Sequence, residues 1–347
     1  PRGAHLPGKR PPTVTSSPPM TESAPAPPVD HLLLVNLGTP TAPEPGAVRE
    51  FLDEFLSDRS VVDLPRWIWL PVLRGIVLRK RPARVAQAYR AIWLDEGSPL
   101  IHGTRRATVA LRERLATDGV TVDWCLRYGE RSLARWLPDY LERTPGRIGV
   151  IPLFPHRTPP TTGTILDEAR RVAREHGAGD RVHGLLLAPD DPGYVAAQAD
   201  VAVRTIEQAG VEPEHLLVSF HSVPERYAKR DGGRYQDDCR RTTQALLGAL
   251  GWPPERATLC FQSKFGPTKW IEPFVDERLA ALARSGVRRV AVATPGFLND
   301  GLETAEEIGI RGRETFLEAG GSEFVRVPCV EDHPKLIDGL VRTAGRS

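Results

Sequence analysis

The sequence predicts an α/β protein built from two similar Rossmann-like halves, each with a parallel sheet flanked by helices, and with a cleft between them. Two pairs of matching segments indicate this fold. DHLLLVNLGTP at 30–40 matches EHLLVSFHSVP at 214–224, and RIGVIPLFP at 147–155 matches RRVAVATPGF at 288–297. Each segment is a short apolar strand followed by a turn that contains proline, and the second pair leads into helices. Chance similarity between strand–helix units is the alternative explanation.

The length of 347 residues is enough for two domains of ordinary size. Residues 1–30 contain nine prolines and few large apolar side chains, which predicts a disordered tail in which Met20 is a candidate natural start. We expect the N-terminal Rossmann-like domain at 31–185 and the C-terminal one at 186–325. The last segment, 326–347, is expected to pack back onto the body of the protein.

Charge and cysteine content exclude several classes of protein. The chain has 46 Lys plus Arg against 44 Asp plus Glu, with the signs mixed along its length, so we expect no nucleic-acid partner. Its four cysteines, Cys125, Cys239, Cys260 and Cys329, form no CxxC pair, which argues against a disulfide framework or a thiolate zinc site. A reducing, cytoplasmic location is predicted. Dinucleotide, P-loop, α/β-hydrolase and zincin motifs are absent from the sequence.

The block LPRWIWLPVLRGIVLRKR at 64–81, called the lip below, is densely apolar and ends in Arg79, Lys80 and Arg81. It is too short and too interrupted to cross a bilayer, which needs about 20 apolar residues. An apolar lip with a basic rim suits a large flat anionic ligand or a membrane surface. An ordinary buried helix with cations at its end explains the composition equally well.

Candidate chemistry lies at two predicted strand ends. His221 ends the apolar run LLVSFH, and Glu303 lies in PGFLNDGLETAEE, with Asp300 before it and Glu307 one helical turn beyond it. Carboxyl ends of parallel strands are where such sheets bind ligands. An imidazole beside a carboxylate suits a divalent transition metal, or removal of a proton from a weakly acidic N–H. Two protein ligands do not make a stable structural site, which predicts a metal that is passing through.

Each of these residues also has an ordinary structural explanation. His221 can be a strand-end histidine whose ring nitrogens are satisfied by neighbours, and Glu303 can be a capping partner three residues after Asp300. Two further loops carry polar residues after short strands, FQSKFGPTKW at 261–270 and PLFPHRTPPTTG at 152–163. The second could bind an anion at a helix N-terminus.

Three motifs, SFHSVPERY, FQSKFGPTKW and PGFLNDGLETAEEI, resemble those of the ferrochelatases in order and spacing, and the similarity runs from about Leu32 to the C-terminal region. The resemblance implies a chelatase-type fold. It also implies an enzyme that inserts Fe(II) into protoporphyrin IX, with release of two protons, and forms protohaem. It implies that His221 and Glu303 bind the metal and remove the protons, with Asp300 and Glu307 in an acidic path beside them.

The resemblance also implies a set of porphyrin contacts. Three apolar side chains would touch the face of the macrocycle, and four polar ones would meet its edge and propionates: Leu37, Trp270 and Phe297, then Arg79, Arg81, Tyr89 and Ser98. The chain departs from the family pattern at Gly301, where members often carry a polar residue, and at PLFPHRT, where they often read PLYPQYS. It has Leu37 where members acting on coproporphyrin often have Tyr, which favours protoporphyrin IX.

The resemblance sets the expected partners. Protoporphyrin IX and ferrous iron are substrates, no cofactor is retained, and no [2Fe–2S] cluster is expected because only Cys329 lies near the end of the chain. We expect a monomer in the cytoplasm that makes transient contact with the inner membrane surface or a haem-using enzyme. The alternatives are a coproporphyrin ferrochelatase, a cobalt chelatase of the same fold, a non-catalytic porphyrin or haem carrier, and a binding protein for another small anion.

Overall fold

The computed structural model describes residues 28–266 and 268–346, so most of the predicted tail, including Met20, lies outside the described residues. The strands are β1 His31–Asn36, β2 Thr121–Leu126, β3 Ile148–Pro152, β4 Val182–Gly184, β5 His215–His221, β6 Ala257–Gln262, β7 Arg289–Ala293 and β8 Glu323–Arg326.

The α-helices are α1 Pro45–Ser57, α2 Arg66–Val72, α3 Leu78–Ile92, α4 Pro99–Arg114, α5 Leu133–Arg143, α6 Thr164–Glu175, α7 Pro192–Ala209, α8 Glu225–Arg230, α9 Arg234–Leu250, α10 Val275–Arg284, α11 Arg313–Glu318 and α12 Pro334–Thr343. Three π-helices accompany them, at Leu73–Val77, Pro159–Gly163 and Leu302–Gly312.

The strands form two parallel four-stranded sheets with the same connectivity. The first has the order β2-β1-β3-β4 and the second the order β6-β5-β7-β8. The first matching pair of sequence segments supplies β1 and β5, and the second pair supplies β3 and β7, so matched segments occupy equivalent places. The predicted α/β fold with two Rossmann-like halves is confirmed.

Equivalent hydrogen bonds recur in the two halves. The Asp30 carboxylate accepts a hydrogen bond from the backbone N–H of Arg147, at 2.8 Å, just before β3. The Glu214 carboxylate accepts one from the backbone N–H of Arg288, at 2.6 Å, just before β7. In each half, the acidic residue that begins the matched segment therefore fixes the backbone just before the neighbouring strand. Chance similarity would not repeat this contact.

Helices cover both faces of each sheet, and α7 is shared between the halves. Tyr194 and Val195 belong to the apolar core of the first half, which also includes residues of α4 and α12. Ala199 and Ala202, one to two turns later in α7, belong to the core of the second half. The C-terminal helix α12 packs beside α7 through Leu336. This shared helix fixes the two sheets relative to each other.

The lip forms a nearly continuous helical stretch through α2, the π-helix Leu73–Val77 and the start of α3. One face, with Trp69 and Leu73, is buried against α1, whereas Trp67 is 78% exposed and Ile76 is 57% exposed. The lip is thus both a core helix and an exposed apolar surface. Among the residues that the structure describes, no helix combines the length and apolar character needed to cross a membrane.

Candidate active site

His221 is the last residue of β5, and its ring is held in one tautomer. The Nδ1 atom lies 2.6 Å from the carbonyl oxygen of Ser222. Because a carbonyl only accepts hydrogen bonds, Nδ1 carries the proton and the lone pair lies on Nε2. The carbonyl of His221 itself accepts a hydrogen bond from the Tyr235 hydroxyl, at 2.5 Å. The half-buried ring of Phe297 lies tilted beside the imidazole, with centroids 6.5 Å apart.

Glu303 lies in the first turn of the π-helix Leu302–Gly312. This helix type is rare in proteins, and where it occurs it often lies at a functional site. The cap of this helix is formed by the Thr304 hydroxyl, which accepts a hydrogen bond from the Gly301 N–H at 3.0 Å. The capping role that we considered for Glu303 belongs to Thr304 instead. The Glu303 carbonyl accepts a hydrogen bond from the side-chain amide of Gln262, at 2.5 Å.

Gln262 connects this helix to the strand that carries His221. It is the residue paired with His221 across β5 and β6, and its side-chain oxygen accepts a hydrogen bond from Ser219 Oγ at 2.7 Å. Ser219 lies two residues before His221, on the same face of β5. Gln262 therefore joins the His221 face of the sheet to the backbone of Glu303.

Electrostatics couple the two candidate groups. Burial raises the pKa of Glu303, the charge of a protonated His221 opposes this, and the carboxylates of Glu307 and Glu306 raise the pKa further. The Glu303 side chain remains partly accessible to solvent. Such a carboxyl group can hold a proton at a higher pH than usual and share it with the neighbouring imidazole. Within the described residues, no group of three or more His, Cys, Asp or Glu side chains is arranged to hold a metal ion.

Asp300 and Glu307 flank Glu303, and each already has partners. Asp300 Oδ1 accepts a hydrogen bond from Thr304 Oγ1, at 2.7 Å. The same oxygen forms an ion pair with Arg326, at 2.8 Å. Glu307 accepts hydrogen bonds from the backbone N–H of Ser263, at 2.8 Å, and from its hydroxyl, at 2.5 Å. Both carboxylates are therefore held in fixed orientations, and the charge of Glu307 acts directly on Glu303.

Tyr89 and Ser98, which we expected at the edge of the ligand, are both buried. The Ser98 hydroxyl donates to Thr39 Oγ1 at 3.0 Å. Burial raises the pKa of Tyr89, the charge of Glu303 raises it further, and a hydrogen bond with Thr39 lowers it. Tyr89 therefore lies within electrostatic reach of Glu303, and α3 packs against the π-helix that carries this glutamate.

The basic rim of the lip divides into an exposed and a buried part. Arg79 is exposed, whereas Arg81 is partly buried with its guanidinium 4.5 Å from the ring centroid of Phe265. Burial lowers the pKa of Arg81 and the charge of Glu303 raises it, and its Nε–H is buried with no hydrogen-bond partner. Trp270, also predicted as a ligand contact, is half-buried and donates from Nε1 to the Phe265 carbonyl at 2.8 Å.

An asparagine pair joins the two halves at the carboxyl ends of their sheets. Asn36, the last residue of β1, donates to Asn299 Oδ1 at 3.0 Å and to Thr104 Oγ1 at 3.1 Å. The predicted contact Leu37 follows Asn36 directly and is half-buried. This link places the end of β1 beside the segment that leads into the Glu303 helix.

Residues 30–347 match the family model described as Ferrochelatase. The chain belongs to the ferrochelatase family. It is 44% identical over 312 residues to the ferrochelatase of Azoarcus sp. strain BH72, covering 90% of this chain and 85% of that protein. It is 42% identical over 310 residues to the ferrochelatase of Klebsiella pneumoniae strain 342, covering 89% and 96%.

A comparison with solved structures finds a similar fold. SirB from Bacillus subtilis with Fe3+ shares 13% sequence identity, with a TM-score of 0.50 over 91% of this chain and 93% of that chain. At this identity the likeness concerns the fold alone.

The structure of this ferrochelatase family member brings His221, Glu303, Tyr89 and Arg81 into one electrostatic neighbourhood. The predicted contact residues did not include Gln262, although it is the last residue of a short strand in the block FQSKFG. The parallel register of β5 and β6 places it opposite His221. Arg326, the partner of Asp300, carries no sequence signal that distinguishes it from other arginines.

The PLFPHRT loop differs from the expected anion site. The hydroxyls of Thr158 and Thr161 bond each other at 2.7 Å, and Thr162 Oγ1 lies 3.4 Å from that of Thr161. His156 is 4% exposed and packs inside the protein. The hydroxyl groups that suggested an anion site are therefore used within the loop.

Proposed function

We propose that this chain inserts Fe(II) into protoporphyrin IX, with release of two protons and formation of protohaem. The observation that carries the proposal is the pairing of an imidazole whose Nε2 lone pair is available with a carboxyl group whose pKa is raised. The curated relatives that share 42–44% identity over about nine tenths of the chain are named as ferrochelatases, which supports the same activity here.

The proposed chemistry assigns different tasks to the two groups. A porphyrin must lose two pyrrole protons before its nitrogens can all bind a metal ion, and a neutral imidazole is a suitable acceptor near neutral pH. Nε2 has a single lone pair, so His221 would accept the two protons one at a time and pass each to the Glu303 carboxylate, from which it would leave to solvent. Glu303 would share them and, with His221, supply ligands for Fe(II) while it passes to the macrocycle. Glu307 and Glu306 would keep the surroundings of Glu303 negative. Asp300, which is paired with Arg326, would hold the start of the helix through Thr304.

The walls of the cleft suit an apolar disc with two carboxylates. Phe297, Trp270 and Leu37 are half-buried and would contact its face. Arg81 would meet a propionate, because its buried Nε–H lacks a partner and a carboxylate would satisfy it. Tyr89 and Ser98 are buried, so they would influence the ligand indirectly, through their hydrogen bonds to Thr39. Arg79 is exposed and would meet the ligand at the rim of the lip. Leu37 supports protoporphyrin IX over coproporphyrin.

The remaining proposals concern the cellular setting. The exposed side chains of the lip, above all Trp67, support a transient contact with the inner membrane surface or with a haem-using enzyme. We further propose that the protein works in the cytoplasm as a monomer, with iron as a substrate and without a retained cofactor or [2Fe–2S] cluster.

The test is anaerobic insertion of Fe(II) into protoporphyrin IX, followed by the visible spectrum as the free-base bands give way to those of the metalloporphyrin. We expect His221→Ala to lower turnover at least about a hundredfold, as removal of a proton acceptor does. Porphyrin affinity should stay within about tenfold, since the imidazole does not hold the disc. His215→Ala is the matched control, because His215 opens the same strand and bonds Thr258 at 2.8 Å, far from the cleft.

Other outcomes would favour the alternatives. Conversion of coproporphyrin III, or insertion of cobalt in preference to iron, would identify a chelatase with a different substrate. Tight binding of porphyrin with no conversion by wild type would favour a carrier. Equal turnover by wild type and His221→Ala would refute the role of the histidine.

A further inference from the structure

The loop after β3 carries a buried histidine that belongs to the first half and reaches into the second. His156 is 4% exposed, and its ring packs edge-on against Phe220, with centroids 4.9 Å apart. It also lies perpendicular to the ring of Tyr235, with centroids 6.5 Å apart. Phe220 directly precedes His221 in β5, and its side chain lies on the opposite face of the sheet. His156 therefore supports the end of β5 from behind.

The surroundings of His156 hold its ring neutral and in one tautomer. Its Nε2 lies 2.7 Å from Thr242 Oγ1, and that hydroxyl donates its own proton to the Pro189 carbonyl, at 2.5 Å. Nε2 is therefore the protonated nitrogen, and Nδ1 is buried with no hydrogen-bond partner. Burial lowers the pKa of His156 to about 3, so the ring stays neutral over the range in which most enzymes work.

Tyr235 connects this packing to the candidate catalytic histidine. Its hydroxyl donates to the His221 carbonyl, and the next carbonyl along the chain, that of Ser222, accepts the proton of His221 Nδ1. The tautomer of His221 thus depends on the orientation of two successive peptide groups. One of these groups is fixed by a tyrosine whose ring lies against His156.

We propose that His156 is a positioning residue: through Phe220 and Tyr235 it holds the main chain at the end of β5 so that His221 presents its unprotonated Nε2 to the substrate. The proposal rests on the proposed role of His221 in metal insertion. It assigns a task to the PLFPHRT loop of the first half that its hydroxyl groups do not perform. A ring at position 156 is needed, and its nitrogens are not.

The test compares His156→Ala, which removes the ring, with His156→Phe, which keeps an aromatic edge against both neighbours. The first readout is the tautomer of His221, followed by ¹⁵N NMR of histidine-labelled protein and assigned with His221→Ala. The second is the separation of kcat from porphyrin affinity in Fe(II) insertion. Leu115→Ala is the stability control, since this fully buried leucine directly follows α4 and lies in the core of the first half.

We expect wild type and His156→Phe to show protonated Nδ1 at His221, and His156→Ala and Tyr235→Phe to show a mixture of tautomers. The two mixed variants should lose about tenfold in kcat with porphyrin affinity within about twofold, and their double variant should lose little more than either alone. Leu115→Ala should lower the melting temperature without changing the tautomer.

Two results would overturn the proposal. One is a His156→Ala protein that melts earlier but keeps the wild-type tautomer and kcat, which would make His156 a packing residue only. The other is a His156→Phe protein as impaired as His156→Ala, which would assign the role to the ring nitrogens. Because the NMR measurement needs no turnover, it decides the positioning role even if the wild-type protein inserts no iron.

Discussion

Glu331 is a partly buried carboxyl group near other carboxylates, so its charged form destabilises the folded protein. Its replacement by a neutral side chain should stabilise the protein at alkaline pH. The residue lies between β8 and α12, its side chain is 19% exposed, and its Oε2 lies 3.2 Å from Arg106. Burial raises its pKa from 4.5 to about 7, and the nearby carboxylates of Asp300 and Asp332 contribute in the same direction. Arg106 and Arg326 lower the pKa, but they do not compensate for the burial.

The size of the effect follows from these two pKa values. A group that binds its proton more tightly when folded gives its full stability at low pH, and this stability is lost as the pH rises from 4.5 through 7. The cost relative to a neutral side chain is about 0.8 kcal/mol at pH 5 and about 3.3 kcal/mol at pH 8. Glu331→Gln, which cannot ionise, should therefore gain about 2.5 kcal/mol over wild type between these two pH values.

The assay is urea unfolding of wild type and Glu331→Gln at pH 5, 6, 7 and 8. The dependence of the unfolding free energy on urea concentration is fitted with one slope for both proteins. Glu314→Gln, an exposed carboxylate on α11, is the control for the loss of one formal charge. The difference between Glu331→Gln and wild type should grow steadily in favour of the variant as the pH rises. A constant difference, or one that turns against the variant at pH 8, would mean that pairing with Arg106 outweighs burial, and would refute the reasoning.

Three further predictions follow from single contacts. Gly38→Ala should destabilise the protein by about 1–3 kcal/mol and weaken porphyrin binding at the neighbouring Leu37, because φ is +131° and a Cβ would lie 2.7 Å from the Tyr128 carbonyl oxygen; unchanged urea unfolding would contradict this. Glu303→Gln should abolish iron insertion yet stabilise the fold more at pH 8 than at pH 4, because burial raises the pKa of Glu303 and the charged form is disfavoured in the folded protein; equal stability of the two proteins at both pH values would contradict it. Trp67→Ser should reduce sedimentation with anionic vesicles about fivefold, because this side chain is 78% exposed on the lip; unchanged sedimentation would exclude it from membrane contact.

The fold could be predicted from the sequence because its strongest signal is repeated. Matching segments at 30–40 and 214–224 became the central strands β1 and β5, and short apolar runs ending in proline turns are read in the same way wherever they occur. The residues at strand ends were predictable for the same reason. His221 ends β5, and the position of a strand end follows from the apolar run itself.

Contacts between distant elements could not be predicted in this way. The approach of α3 to the Glu303 helix brings Tyr89 and Arg81 near that carboxyl group, and it depends on packing between segments more than 200 residues apart in the sequence. The π-helical form of Leu302–Gly312 was also missed, since its apolar pattern does not distinguish it from an α-helix. The role of Thr304 in its cap follows from that unpredicted geometry.

The two halves share an architecture but differ where the chemistry would take place. In the matched segments the place of His221 is taken in the first half by Leu37, and the place of Phe220 by Asn36. The first half therefore offers an apolar contact and a hydrogen bond to Asn299, whereas the second offers an imidazole facing a carboxyl group. The apolar contact thus lies in the first half, and the ionisable groups lie in the second. With the roles proposed for Leu37, His221 and Glu303, a cleft between the halves would both hold a flat apolar ligand and remove its protons, and neither half alone would do so.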